Sequence, residues 1–158
     1  LLDVFPLLKK EGIHIALDTS GVGKGYYQEI LSYVDLVLLD IKHITDSGYL
    51  DLTGSKMTEF RKFVTCLNES GKKVWIRQVI VPGVNDNMEY INGLASFLKQ
   101  IKNIEKVEFL PYHKLGDEKY TKLGILNPYQ DKEAMDTVLC ENLYQEFEAI
   151  YYERNQRD

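Results

Sequence analysis

Cysteine is scarce here: Cys66 and Cys140, 74 positions apart, are the two in 158 residues. They form no metal-ligand cluster and no paired-cysteine zinc pattern, and buried thiols in a reducing cytoplasm are the default reading. No apolar run approaches the roughly 20 residues needed to cross a bilayer, and no signal-peptide pattern opens the chain. Positive charge is not in excess either. A formal charge of −5 favours solubility and points away from a nucleic-acid surface. His-Glu-x-x-His and Gly-x-Ser-x-Gly are missing. The glycine-rich stretch Gly21-Val22-Gly23-Lys24-Gly25 has neither the dinucleotide-binding spacing nor a Walker-type ending. Asp18-Thr19-Ser20-Gly21 looks superficially like an aspartic-protease loop, but its glycine is one position late and no second copy exists. An apolar fraction of 44% and a charged fraction of 27% suit one soluble domain over 1–158.

Four apolar runs stand out, each ending on a polar or charged side chain. They are Ile13 to Thr19, Leu36 to Lys42, Val74 to Arg77 and Val107 to His113. Stretches with helical spacing separate them, so the pattern is β-α repeated, an α/β fold with parallel strands in one sheet. The strand ends at Asp18, Asp40, Arg77 and His113 are spaced by 22, 37 and 36 residues, as βαβ units with one or two longer loops require. In such sheets the carboxyl ends of the strands face one rim, where ligands bind. Asp18, Asp40, Lys42, Arg77 and His113 are therefore expected at a common mouth.

The intervening segments read as helices. Met57, Phe60, Val64 and Leu67 form one stripe, with Ser55 as N-cap and Gly71 beyond the end. Asp86 and Glu89 resemble a capping box, and Ile91, Leu94, Ala95, Leu98 and Ile101 continue as an apolar face. Val4 to Lys10 and Tyr26 to Tyr33 are shorter helices. A last helix is expected from about Asp131 into Tyr151, with Ala134, Met135, Val138 and Leu139 inward and a charged, fraying tail to Asp158, so that 131–158 forms a C-terminal helix and tail.

The strand-end residues each admit two readings. Asp40 and Lys42 alternate across Ile41 and share a face, as a polar clamp for a ligand or as a partly buried ion pair. Asp18 either binds a cation or ligand or caps the next turn. Arg77 shares its parity with Trp75 and Val79; it points either to the open face, where an anion or Asp18 would partner it, or under a helix. His113 lies beside a loop of about 17 residues running to Tyr129, and is either a functional or a hydrogen-bonded structural residue. His14 is expected on the helix-facing side of its strand and His43 at a loop start, neither with a role.

Taken in order, Lys9 to His14, Leu17-Asp18-Thr19-Ser20-Gly21, Leu39-Asp40-Ile41-Lys42, Val74-Trp75-Ile76-Arg77, Val81-Pro82-Gly83 and Leu110 to Gly116 resemble the pyruvate formate-lyase activating enzymes. The resemblance covers roughly Leu1 to Gly124. It implies the radical S-adenosylmethionine superfamily and a partial (β/α)6 barrel, of which this chain would be an incomplete radical-SAM-type barrel: the last four of six βα units, the C-terminal part. Those enzymes cleave S-adenosylmethionine reductively at a [4Fe–4S] cluster and generate a glycyl radical on a target enzyme. Implied partners are a glycyl radical enzyme such as pyruvate formate-lyase and an electron donor such as flavodoxin or ferredoxin, in the cytoplasm of a fermenting organism. Another glycyl radical enzyme as target, or a non-catalytic half-barrel binding module, are the alternatives.

By that resemblance, Asp40, Lys42 and His113 match positions contacting S-adenosylmethionine, and Val79 and Leu110 match apolar contacts to its adenine. Asp18 and Asp40, with the backbone carbonyls of Thr19 and Leu38, match a monovalent-cation site. A ligand carboxylate beside two aspartates needs a cation and a lysine to offset like-charge repulsion. Arg77, with Asp18, matches residues near the glycyl-loop peptide. Ser20 stands where the family often has Asn, Gln78 is a substitution beside Arg77, and the last ~30 residues depart from the family pattern. The Cys-x-x-x-Cys-x-x-Cys loop and the Gly-Gly-Glu motif of the family do not occur. No catalytic residue and no cluster ligand is thus expected within this chain, which is predicted to be inactive alone and to begin inside something longer. The strand ending at Asp18 is expected to present a bare edge, covered by dimerisation or by the tail.

Overall fold

A computed structural model describes the backbone of residues 1–155 and the side chains of 1–152. The element order is α1 (Phe5–Lys10), β1 (Ala16–Thr19), α2 (Tyr27–Tyr33), β2 (Leu36–Ile41), α3 (Asp46–Thr53), α4 (Thr58–Ser70), β3 (Lys73–Ile80), α5 (Met88–Leu98), β4 (Ile104–Pro111), a 3₁₀ turn (Lys114–Gly116), α6 (Asp117–Leu123) and α7 (Thr137–Asn155). The four strands form one parallel sheet in the order β1-β2-β3-β4. That is the α/β arrangement the repeated β-α pattern requires. β1 lies at one end of the sheet, paired with β2 alone.

Two compact units divide the chain: Leu1–Gln78 with Phe97–Glu108, and Val79–Ser96 with Phe109–Asp158. In the first unit, Val37, Leu39 and Ile41 of β2 and Val74 and Ile76 of β3 are almost fully buried, while the residues between them are half-open. The buried side faces helix α4, since the side chain of Leu39 lies beside the same Gly21 backbone as the rings of Phe60 and Phe63. The stripe Met57, Phe60, Val64 and Leu67 is buried as its spacing predicts, and Phe63 joins it. Each such side chain stabilises the fold by roughly 1.5–3 kcal/mol. Helix α4 ends at Gly71, whose φ of 64° is the left-handed conformation a C-terminal glycine supplies. Its N-cap is Met57 without a side-chain bond, so Ser55 is not the cap. The segment read as a longer loop after β2 holds α3, capped by the Thr45 hydroxyl, which accepts from Gly48 N–H at 3.2 Å.

In the second unit α5 buries Ile91, Leu94 and Ala95, as expected. Its capping residue is Asn87, whose Oδ1 accepts from Tyr90 N–H at 3.0 Å; Asp86 instead accepts from Gly83 N–H at 2.8 Å. No box forms because the helix starts one residue later than the Asp86–Glu89 pair demands. Helix α7 begins at Thr137, not Asp131, behind Asp136, whose carboxylate accepts from Leu139 N–H at 2.8 Å. That start rotates the apolar face: Cys140, Leu143 and Phe147 are buried, whereas Ala134, Val138 and Leu139 are exposed. Met135 is buried, but in the irregular segment before the helix. Phe147 packs on Phe109 and Tyr151, ring centroids 5.2 Å away in each case. The charged tail beyond Asn155 lies outside the described residues. No described helix is long and apolar enough to cross a membrane.

Candidate functional site

Parallel register brings the charged strand ends of the first unit together. Asp40 on β2 is the register partner of Arg77 on β3, and Asp18 on β1 that of Leu38. Period two then sets Asp18, Leu38, Asp40, Trp75 and Arg77 on the face away from the buried Val37, Leu39, Val74 and Ile76. Arg77 therefore points to the open face, not under a helix. Strand β3 runs on to Ile80, so Arg77 lies within the strand rather than at its end. The same alternation sends Gln78 to the buried side, where it is 1% exposed; no buried side-chain polar atom among the described residues lacks a partner.

The contacts form a four-member network. Arg77 donates from Nε to Asp40 Oδ1 at 2.8 Å and from Nη2 to Asp18 Oδ1 at 2.5 Å, while the same Nη2 stands 2.7 Å from Asp40 Oδ1. Lys42 Nζ donates to the second oxygen of Asp40 at 3.1 Å. Two carboxylates face two cations, so the cluster is neutral as it stands. Arg77 and Asp40 keep 21% and 24% of their side-chain surface, Lys42 38% and Asp18 61%, so the network is buried at its centre and wet at Asp18. Burial lowers the affinity of Arg77 for its proton, but hydrogen bonds and charge from Asp18 and Asp40 outweigh it and hold the guanidinium above its ordinary value. Removing one member would leave a partly desolvated charge without its partner, which costs more than the pair contributes.

The turn after β1 fixes Asp18. Thr19 Oγ1 accepts from Gly21 N–H at 3.0 Å, and Gly21, at φ 72°, passes so close to Phe60 and Phe63 that an added Cβ would stand 3.0 and 3.1 Å from their rings. Asp18 does not cap this turn: its carboxylate accepts from Arg77. Ahead of β1, Asp35 is tied to Lys9 at 2.8 Å and to Ile15 N–H at 2.8 Å, and both bonds hold its carboxyl below the usual range.

Val79, Leu110 and His113 belong to the second unit. Val79 and Leu110 are each 37% exposed. Tyr112 N–H donates to Ile80 O at 2.9 Å and Met135 N–H to Tyr112 O at 2.8 Å, which fixes the chain just before the exposed His113. The loop expected after His113 holds the 3₁₀ turn and α6, with Leu115, Leu123, Ile125 and Leu126 exposed. Sequence reasoning missed Asn85, whose buried amide accepts from Val81 N–H at 2.7 Å and donates to Val79 O at 2.8 Å, closing the turn after β3. An Asn two residues past Pro82-Gly83 was its one signal. His14 is exposed ahead of β1, not on the helix-facing side. His43 begins a loop as expected; burial pushes its proton affinity down, and its ring lies on Gly48, where an added Cβ would come within 2.0 Å.

Among the described residues no three His, Cys, Asp or Glu side chains are placed to hold a metal ion. Cys66 is half-buried on α4 and Cys140 buried on α7, so the cysteines here do not fit an iron–sulfur cluster. An alkali cation is another matter. Two carboxylate oxygens already converge within 2.7 Å of one positive nitrogen, and hard oxygen donors suit such an ion.

No family model matches the chain. Among curated proteins, it is 52% identical over 136 residues to the pyruvate formate-lyase-activating enzyme of Clostridium pasteurianum, covering 86% of this chain and 57% of that one. It is 40% identical over 137 residues to the enzyme of the same name from Staphylococcus epidermidis, covering 82% and 54%. The chain thus spans about half the length of these relatives. Among solved structures, a domain of pyruvate-formate lyase-activating enzyme from Bacteroides vulgatus superposes with a TM-score of 0.68 at 20% identity, over 93% of this chain and 84% of that one. A radical SAM methyltransferase from Sphaerobacter thermophilus gives 0.60 at 17%, over 89% and 40%, so both support the fold alone. By sequence, then, this chain is a relative of part of the pyruvate formate-lyase-activating enzymes.

Proposed function

We propose that the chain is the C-terminal portion of a glycyl-radical-enzyme activase whose target is pyruvate formate-lyase, and that its open sheet face helps bind S-adenosylmethionine. The observation that carries this reading is the Asp18–Arg77–Asp40–Lys42 network, in a chain that is 52% identical over 136 residues to an enzyme of that name. In the first unit Lys42 and Arg77 offer donors for a ligand carboxylate and Asp40 an acceptor for ribose hydroxyls; in the second unit Val79 and Leu110 are partly exposed apolar residues that would suit a base. His113 would stand in the adenine neighbourhood. Arg77 with Asp18 would meet the target's peptide, and Asp18, Asp40 and the carbonyls of Thr19 and Leu38 would hold a monovalent cation. The [4Fe–4S] cluster, fed by a flavodoxin or ferredoxin in the cytoplasm, would supply the electron for cleavage of the sulfonium bond; its ligands lie outside this chain.

Two expectations follow. This chain by itself lacks activity and binds S-adenosylmethionine weakly; micromolar affinity in a calorimetric titration overturns that expectation. In the full-length protein, reconstituted anaerobically, Asp40→Asn and Lys42→Met each raise the Kd for S-adenosylmethionine about tenfold or more, the effect of removing a charge-assisted contact. Unchanged affinity in both variants removes the cofactor role from this cluster.

A further inference from the structure

We propose that Arg77 is a displaceable internal counter-ion: it holds Asp18 and Asp40 together, gives way to a monovalent cation, and once released presents its guanidinium to a ligand carboxylate or peptide carbonyl. The inference rests on the cation reading above and assigns the ligand-free role of Arg77. Arg77 Nη2 lies 2.5 Å from Asp18 Oδ1 and 2.7 Å from Asp40 Oδ1. One guanidinium nitrogen therefore takes the place a small cation would need between the same two oxygens. Both cannot be there at once, because two positive centres within 3 Å of each other repel strongly in a half-buried site.

The geometry also shows why displacement is open to Arg77 and closed to its neighbour. Lys42 holds the other oxygen of Asp40, so Asp40 stays neutralised whichever cation sits on Oδ1. Asp18 is the wet end of the network, with 61% of its side chain exposed, and its bond is to Arg77. The bond to Asp18 is the one solvent and salt can reach, and exposed pairs of this kind are weak. A cation that docks on Asp18 and Asp40 replaces the charge Arg77 supplied. Arg77 then keeps its place on the open face of β3 with its five donors unspent. Cation loading and the ability to grip an anionic or carbonyl group would thus be one event.

The test is a potassium chloride titration of the 158-residue chain, with tetramethylammonium chloride holding the ionic strength constant. Nitrogen-labelled arginine provides the readout, and the Nε–H signal that vanishes in Arg77→Gln is that of Arg77. The signal is expected to move with potassium and not with tetramethylammonium. Potassium affinity is expected to rise roughly tenfold in Arg77→Gln, the sum of two half-exposed charge pairs. If circular dichroism shows that Arg77→Gln does not fold, Arg77→Met, which also removes the positive charge, takes its place under the same criterion. Three results overturn the proposal: potassium binding with the Arg77 signal unmoved, equal affinity in wild type and variant, or no potassium binding by a folded variant. S-adenosylmethionine is left out of these titrations. Failure of the cofactor reading appears separately, as unchanged cofactor affinity in the Asp40 and Lys42 variants.

Discussion

The chain leaves β1 and β4 in two different ways. After Asp18 it makes one tight turn: Thr19 Oγ1 takes the Gly21 N–H, and the Gly21 backbone presses on Phe60 and Phe63. After His113 it runs through a 3₁₀ turn and the seven residues of α6, with Leu115, Leu123 and Leu126 each at least 71% exposed. Where the backbone is pinned by the core, the side chain before it, Asp18, has one defined partner. Where the backbone is held at Tyr112 and the next turn has no core beneath it, the side chain after it, His113, stands exposed. Charge placement at a strand end is a property of what packs beneath the next turn.

The sharpest way to break that comparison is to remove the core of the second unit and ask whether its strand end depends on it. Phe147→Ala opens a cavity among Phe109, Tyr144 and Tyr151, and should cost about 3–5 kcal/mol by urea unfolding. A cost under about 1 kcal/mol would mean that the ring cluster does not anchor α7.

A paired glycine experiment comes next in size. Gly21 and Gly124 both hold positive φ, 72° and 64°, so alanine strains each backbone by about 1–2 kcal/mol. At Gly21 the new methyl also meets two phenyl rings, for a total of about 2–3 kcal/mol; at Gly124 nothing lies within 4 Å. Equal losses in the two variants would show that the turn after β1 is no better packed than the one after α6.

The second unit is not open throughout, and alkaline titration shows where it is closed. Burial pushes the Tyr90 hydroxyl up to about 12, against the opposing hydrogen bond of Asn85. The protonated phenol is the form the fold prefers. Its stabilisation is complete below pH 10 and is lost as pH rises toward 12, at about 1.4 kcal/mol per pH unit. Tyr144, pushed up to about 12 by burial and then by the hydrogen bond and charge of Glu148, adds a second such dependence. Burial also raises Tyr27, Tyr49 and Tyr129, so Tyr90→Phe should lower the slope of stability against pH above 10 by up to about 1.4 kcal/mol per pH unit without abolishing it; an unchanged slope would place Tyr90 in water.

The parts legible beforehand are those set by periodicity. Alternation placed Asp40, Lys42 and Arg77 on common faces, and the three-four spacing of Met57, Phe60, Val64 and Leu67 marked a buried stripe. What escaped was set by capping and by short local bonds. Thr45 starts a helix where the sequence looked like loop, because its hydroxyl serves Gly48. Asp136 delays α7 by six residues and turns Val138 and Leu139 outward. Asn85, which closes a turn from within, has no periodic neighbour to announce it. The role of Arg77 was legible only as a choice between two faces, since parity says which residues agree and not which side faces the helices.

The smallest expected effect is also the most direct probe of the open strand end. Leu126 is 75% exposed, so replacing it by Gln removes little apolar burial, and stability should stay within about 0.5 kcal/mol of wild type. Leu123→Gln, at 71%, should behave alike, and the two together should add. A loss above 1 kcal/mol in either would mean that the segment after His113 packs on something in solution. His113 would then be as firmly placed as Asp18, and the contrast between the two strand ends would disappear.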